Sequence, residues 1–397
     1  MANPVNLFRR FLSSGSSGGI ILLFCVAVSL LVANSPFGKD FEQLLATGIG
    51  ADIGSVHLKY SLLLWVNDGL MAIFFLLVGL EIKRELVNGE LSSPSKAALP
   101  IIAALGGVLA PASIYTLFNA GTESAGGWGI PMATDIAFAL GIITLLGDKV
   151  PVSLKIFLAA LAIADDLMAI LVIAVFYTTE LHINYLLYAA AILVLLVILN
   201  RMGVRKLVFY LIPGAFIWYF IHHSGIHATI AGVITAMAIP ASRQKDVYSP
   251  LEKLEHAIVK PVNFFIMPLF ALCNTNIAFE AGMVDGLFTP LGLGILLGLF
   301  IGKPLGITLA TWISVKIGLC KLPQGATWAH LLGVGMLAGI GFTMSIFIAM
   351  LSFKGLHHLE SEAKFSILAA SLLSGTVGSF FLLSLEKSSP SPPDRGA

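Results

Sequence analysis

Apolar runs of roughly membrane-spanning length recur along nearly the whole chain, separated by short polar clusters. A hydrocarbon core ~30 Å thick needs about 20 such residues in a helix. The runs predict about twelve spans, at residues 18–34, 62–87, 97–118, 126–146, 152–178, 185–200, 207–222, 227–240, 258–277, 291–314, 329–351 and 365–385. The seventh and eighth are short. The expected fold is an all-α polytopic membrane protein in which residues 1–387 form a single transmembrane domain. The Ser/Pro-rich tail, 388–397, is expected to be disordered. Arg9 and Arg10 precede the first apolar run, as in a signal peptide. That run is long enough to span, and no persuasive small-residue cleavage site follows it. It is read as a first transmembrane helix that also serves as the insertion signal.

Composition supports the same class. The chain is 57% hydrophobic and 11% charged, whereas a soluble domain carries about 25% charged residues. A net charge of +1 gives no reason to expect a nucleic-acid partner. Cys25, Cys273 and Cys320 lie in or beside apolar runs, without metal-site spacing, and an odd number argues against a disulfide framework. With the N-terminus taken as cytoplasmic, eighteen Lys and Arg residues fall inside, four outside, and Lys303 within a span. The positive-inside rule therefore places both termini in the cytoplasm.

Two spans carry helix breakers at mid-depth. The fourth has Gly129 and Pro131 beside Thr134-Asp135; the eleventh has Gly333, Gly335, Gly339 and Gly341, then Thr343. Interrupted spans in corresponding halves are a pointer to a transporter's binding site. These two cross in opposite directions, which suggests inverted repeats at about 97–178 and 291–385. The competing reading is that the glycines permit close helix packing.

Charges within the apolar runs supply the candidate chemistry. Between Ile156 and Tyr177 the charged residues are Asp165 and Asp166. Asp165 follows Lys155 by ten residues, so a helix carries it about 15 Å inward, roughly half the core. Such a residue costs about 2.5–3.5 kcal/mol on insertion scales. A tandem pair points to handling a small cation or a proton. The two side chains differ by about 100° around a helix, so one is expected to be the working ligand and the other to have a separate partner. Asp135, also near mid-depth, is placed to balance exposed N–H ends at the fourth span's break, with Thr134 beside it for Na⁺. Lys303 demands a carboxylate partner, Asp165 or Asp135. Asp68 is expected to cap or to be solvated at the outer end of span two. His227 is read as a polar residue at the outer interface. Glu81, Arg84 and Glu85, with Glu255 and His256, form a candidate pH-sensing cluster at the inner ends of spans two and nine.

The strings Ala133-Thr134-Asp135-Ile136-Ala137-Phe138, Ala164-Asp165-Asp166, Ser224-Gly225-Ile226-His227-Ala228-Thr229, Gly302-Lys303-Pro304 and Gly339-Ile340-Gly341-Phe342-Thr343-Met344-Ser345 resemble those of the NhaA-type bacterial sodium/proton antiporters. They occur in family order and cover nearly the whole chain. The resemblance implies a Na⁺(Li⁺)/H⁺ antiporter of the bacterial inner membrane, without a cofactor and not an enzyme. It implies that Asp166 is the principal ion-binding carboxylate, that Asp165 pairs with Lys303, and that Asp135 neutralises crossed broken helices. Thr134 would lie near the ion. Glu81, Arg84, Glu85, Glu255 and His256 would be the cytoplasmic pH-sensing cluster, and a β-hairpin around 48–57 would mediate a homodimer. The expected cycle is electrogenic alternating access, activated at alkaline pH. Two rivals also use buried acids. An intramembrane aspartyl protease needs a Gly-x-Gly-Asp string, which is absent. A passive cation channel repeats its acids around a pore.

Overall fold

The computed structural model describes residues 17–53, 56–178, 181–242, 248–279 and 282–386. Arg9, Arg10 and the tail 388–397 lie outside the described residues, as do residues 54–55. The first apolar run is helix α1, Ser17–Ala33, which turns by 110° into α2, Gly38–Ala46. Two nested antiparallel pairs follow. β1 (Gly48–Ile49) pairs with β4 (Tyr60–Ser61), and β2 (Asp52–Ile53) pairs with β3 (Val56–His57). The expected hairpin is thus present and extends to Ser61.

The remaining helices are α3 (Leu62–Asn88), α4 (Pro94–Asn119), α5 (Ile136–Leu145), α6 (Val152–Phe176), α7 (Ile183–Arg201), α8 (Val208–Ser224) and α9 (Ile230–Ala238). They continue with α10 (Pro250–Asn274), α11 (Pro290–Lys316), α12 (Trp328–Ala338), α13 (Phe342–Ser352) and α14 (His357–Glu386). Among the described residues seven helices are long and apolar enough to cross a membrane alone, or up to ten if each bent pair is one span. The eighth run is the clearest departure from twelve full spans. Its helix, α9, has nine residues, about 14 Å of axis. Side chains close its end early: Lys83 Nζ donates to Met237 O at 2.7 Å and Ile239 O at 2.5 Å, and Asn200 Nδ2 to Ala238 O at 2.6 Å.

Both predicted interruptions are present. A 3₁₀ helix, Glu123–Met132, leads into an extended stretch at 133–135 and then α5, with a bend of 41°. In the eleventh span α12 and α13 meet at 50° around Gly339–Gly341. Gly333 and Gly335 answer to the packing reading instead. A Cβ on them would lie 2.6 Å from Leu382 Cδ2 and 2.8 Å from Pro304 Cα. Three π-turns, absent from the sequence reading, widen α3 at Trp65–Leu70, α10 at Val262–Ile266 and α11 at Gly298–Gly302. The last ends directly before Lys303, in keeping with the frequent placement of π-turns at functional sites.

Helices α4 and α11 cross at backbone contact. A Cβ on Gly106 would fall 2.2 Å from Gly306 O, and one on Gly306 would fall 2.1 Å from Gly106 O. Ala110 and Ala310, one turn further along, complete small-xxx-small pairs on both helices. This brings Lys303 on α11 against Gly107 on α4, and so toward the centre of the molecule.

Candidate functional site

The breaks in the two interrupted spans lie against each other. Asp135 N donates to Ile340 O at 2.7 Å, joining one break to the other. The Asp135 carboxylate then serves two helices. Oδ1 accepts from Phe138 N at 3.1 Å, capping α5. Oδ2 accepts from Thr343 N at 3.1 Å, and from the Thr343 hydroxyl, at the start of α13. Two helix N-termini, each carrying about half a positive charge, thus converge on one buried carboxylate. Ser371 adds a further cap, its Oγ accepting from Phe342 N at 3.1 Å.

The facing half-helices end in carbonyls, the partially negative pole. Lys303 Nζ donates to Met132 O, and Ser345 Oγ to Ile130 O at 2.8 Å. Thr134 Oγ1 stands 2.9 Å from Ala338 O and 2.7 Å from Asp165 Oδ2, so its one proton serves either acceptor. Pro131 lies in the last turn of the first half-helix, packed against Gly298 of α11, and Gly339 and Gly341 shape the second break. A Cβ on Gly339 would meet Leu299 O at 2.4 Å, and one on Gly341 would meet Ser345 Oγ at 2.2 Å.

Helix α6 supplies the acid pair. Asp165 Oδ2 forms a 2.6 Å ion pair with Lys303 Nζ, with both side chains fully buried. Between the two partners that the sequence left open for Lys303, the geometry selects Asp165. Asp166 is 2% exposed, and its Oδ1 has no hydrogen-bond partner; Asp165 Oδ1 is likewise unpartnered. Asp166 interacts electrostatically with Asp165, Glu81, Asp135 and Lys303. Four carboxylates and one ammonium therefore act on one another in the interior. Buried charge without compensation is costly, so a cation or protons fit there.

The candidate pH-sensing residues come together in part. Arg84 Nη1 pairs with Glu255 Oε1 at 2.5 Å and Arg84 Nη2 with Glu85 Oε1 at 3.2 Å. Glu81 is within electrostatic reach of all three. His256 is not hydrogen-bonded into this network. It is exposed, with Nδ1 2.9 Å from Glu252 O and its ring edge-on to Tyr248.

At the other end of α3, Asp68 is paired rather than simply capping or solvated. Its Oδ2 lies 3.1 Å from His222 Nδ1, beside the stacked rings of Trp65 and Trp218. His227 packs edge-on to Phe347. Sequence reasoning missed the reciprocal amide pair Asn67–Asn274, which joins α3 to α10 at 3.1 and 2.7 Å. It also missed the cap by Lys83 on α9. Asparagines within two apolar runs were the available signal for the first; the second has none.

Crossed broken helices, buried acids and one buried lysine within a polytopic bundle define a membrane ion carrier of the exchanger class. Residues 9–382 match the family described as Na⁺/H⁺ antiporter 1. The chain is 62% identical over 390 residues to the Na(+)/H(+) antiporter NhaA 2 of Flavobacterium johnsoniae, covering 98% of this chain and 95% of that one. It is 50% identical over 386 residues to NhaA 1 of Brucella anthropi, covering 96% of each. With NhaA of Oleidesulfovibrio alaskensis the identity is 47% over 415 residues, covering 94% of this chain and 92% of that one. The chain belongs to the Na⁺/H⁺ antiporter 1 family, and it is a transporter rather than an enzyme.

Proposed function

We infer that this chain exchanges Na⁺ for H⁺ across the bacterial inner membrane, with Asp166 and Asp165 as the carboxylates for which Na⁺ and protons compete. The observation that carries this reading is the unpartnered, buried Asp166 beside the Asp165–Lys303 pair and the crossed helix ends. Facing one side, the site loses protons and takes Na⁺. Facing the other, it releases Na⁺ and is reprotonated. Thr134 supplies a neutral oxygen beside Asp165, and Asp135 holds the two positive helix ends in place. No cofactor is required, because the carboxylates carry both substrates. Lys303 neutralises Asp165 until the site is loaded and is a candidate proton carrier itself.

The physiological direction is Na⁺ out and H⁺ in. Two protons against one Na⁺ make the exchange electrogenic, and Li⁺, small and hard, is accepted as well. The network of Arg84, Glu85, Glu255 and Glu81 is the candidate for activation at alkaline pH, with His256 at its edge. Residues 97–178 and 291–385 act as inverted repeats, a reading supported by the reciprocal α4–α11 crossing and the paired breaks. Both termini are cytoplasmic, and the β-hairpin is the candidate homodimer contact.

The test is Asp166→Asn assayed in everted membrane vesicles. Loss of Na⁺-driven proton movement is expected at every pH; full activity would sink the assignment. The same preparation excludes the rivals, since a channel gives passive conductance and a protease gives no flux.

A further inference from the structure

The 3₁₀ half-helix Glu123–Met132 runs for ten residues, whereas 3₁₀ runs beyond three or four are uncommon. Its flanks explain how it is held. Tyr177 stands at the C-terminal end of α6, the helix that carries Asp165 and Asp166. Its hydroxyl donates to Gly126 O at 3.0 Å and accepts from Gly129 N at 3.3 Å. Those are the two ends of one i→i+3 rung. In an α-turn Gly126 O would instead face Ile130 N. On another side Tyr115 of α4, fully buried, donates to Ser124 O at 2.7 Å, and Asn119 Oδ1 accepts from Ser124 Oγ at 2.6 Å.

The glycines of the segment answer to this grip. A Cβ on Gly127 would lie 2.4 Å from Tyr115 Oη and 2.6 Å from Phe353 Cζ; one on Gly129 would lie 2.7 Å from Tyr177 Oη. Trp128 sets its ring edge-on to Phe176 at 5.0 Å.

Winding fixes length. A 3₁₀ helix rises ~2.0 Å per residue and an α-helix 1.5 Å, so rewinding ten residues shortens the segment by roughly 5 Å. The end that would shift is Met132, whose carbonyl holds Lys303, followed by Thr134, which meets Asp165. We propose that Tyr177 and Tyr115 are positioning residues for the exchange. Their hydroxyls hold the half-helix in 3₁₀ winding and so set the Lys303–Asp165–Thr134 geometry. The proposal rests on the reading of Asp165 and Asp166 as the ion site.

The experiment measures KM for Na⁺, maximal rate and pH profile in everted vesicles for Tyr177→Phe and Tyr115→Phe, with Asp166→Asn alongside. Each Phe variant keeps the ring. Its KM is expected to rise about threefold to tenfold, the factor that one lost hydrogen bond is worth. Its pH profile should shift, with the maximal rate per folded protein within about twofold. Because KM does not depend on the amount of protein in the membrane, reduced expression does not imitate this. Gly129→Ala is expected to reproduce the Tyr177→Phe effect, since its Cβ displaces Oη. In a Tyr177→Phe background it should add nothing, because the remaining ring atoms stand 3.4 and 3.5 Å away. Unchanged KM and pH profile in Tyr177→Phe, or a fall in maximal rate alone, overturns the clamp while Asp166→Asn remains inactive. An active Asp166→Asn overturns the ion-site reading itself.

Discussion

Asp135 accepts hydrogen bonds from the first turns of two different helices, and the two oxygens are not equivalent. Hydrogen bonds to charged groups contribute about 1.5–3 kcal/mol. Thr343→Val keeps the shape but removes the hydroxyl bond to Oδ2, and it should lower the melting temperature in detergent by that order of free energy. Asp135→Ala, which uncaps both helices, should lower it further. Lys303 has a sharper signature. Removing one partner of a buried pair typically costs about 3–5 kcal/mol, so Lys303→Met should destabilise strongly. Lys303→Met with Asp165→Asn should recover much of the loss, and a thermal-melt double-mutant cycle checks this. The acids and Lys303 were legible in the sequence because a charge within an apolar run stands out against its neighbours. Charge positions alone leave Lys303 between Asp165 and Asp135, since residues far apart in sequence give no distance until helices are packed; the resemblance of the motifs points to Asp165, as the ion pair has it. Ser345 and Lys83 bond to backbone carbonyls, and such contacts leave no spacing pattern to read.

At the scale of the element, the two interruptions were legible because Gly and Pro deprive a mid-membrane helix of regular hydrogen bonding. The 3₁₀ winding of Glu123–Met132 and the π-turns were not. The 3₁₀ segment receives contacts from other helices, such as the Tyr177 hydroxyl on its rung, that no local spacing announces. The eighth run reads as short, but not as short as α9 is, because Ile239 and Pro240 continue an apolar run whose helical bonding stops at Ala238. Glycines of similar appearance divide by what surrounds them. Gly106→Ala drives a methyl group toward Gly306 O and should destabilise by about 1–3 kcal/mol, the usual cost of overpacking. Gly141, within α5, has nothing within 4 Å of its Cβ direction. Gly141→Ala should therefore stabilise by about 0.5–1 kcal/mol through helix propensity. Thermal unfolding of the two variants in one detergent compares them directly.

For the whole molecule, the proposed competition at one site would link ion binding to stability. Na⁺ that binds the folded protein at 100 times its Kd stabilises by about 2.7 kcal/mol. On the proposed reading protons compete for the same carboxylates, so the Na⁺-dependent rise in melting temperature should grow as pH increases and fade as pH falls. It should vanish at all pH values in Asp166→Asn. A thermal-shift series in NaCl against choline chloride at constant ionic strength measures it; a shift that persists in Asp166→Asn places the ion elsewhere.

The meeting of Gly106 with Gly306 carries a mechanical consequence. Where most helices interlock through side chains, α4 and α11 touch backbone to backbone. At Gly106 and Gly306 no side chain stands between the two backbones, while sliding along the axis runs into Ala110 and Ala310. The contact has the shape of a pivot: two backbones meet at one point, and the alanines on either side oppose translation.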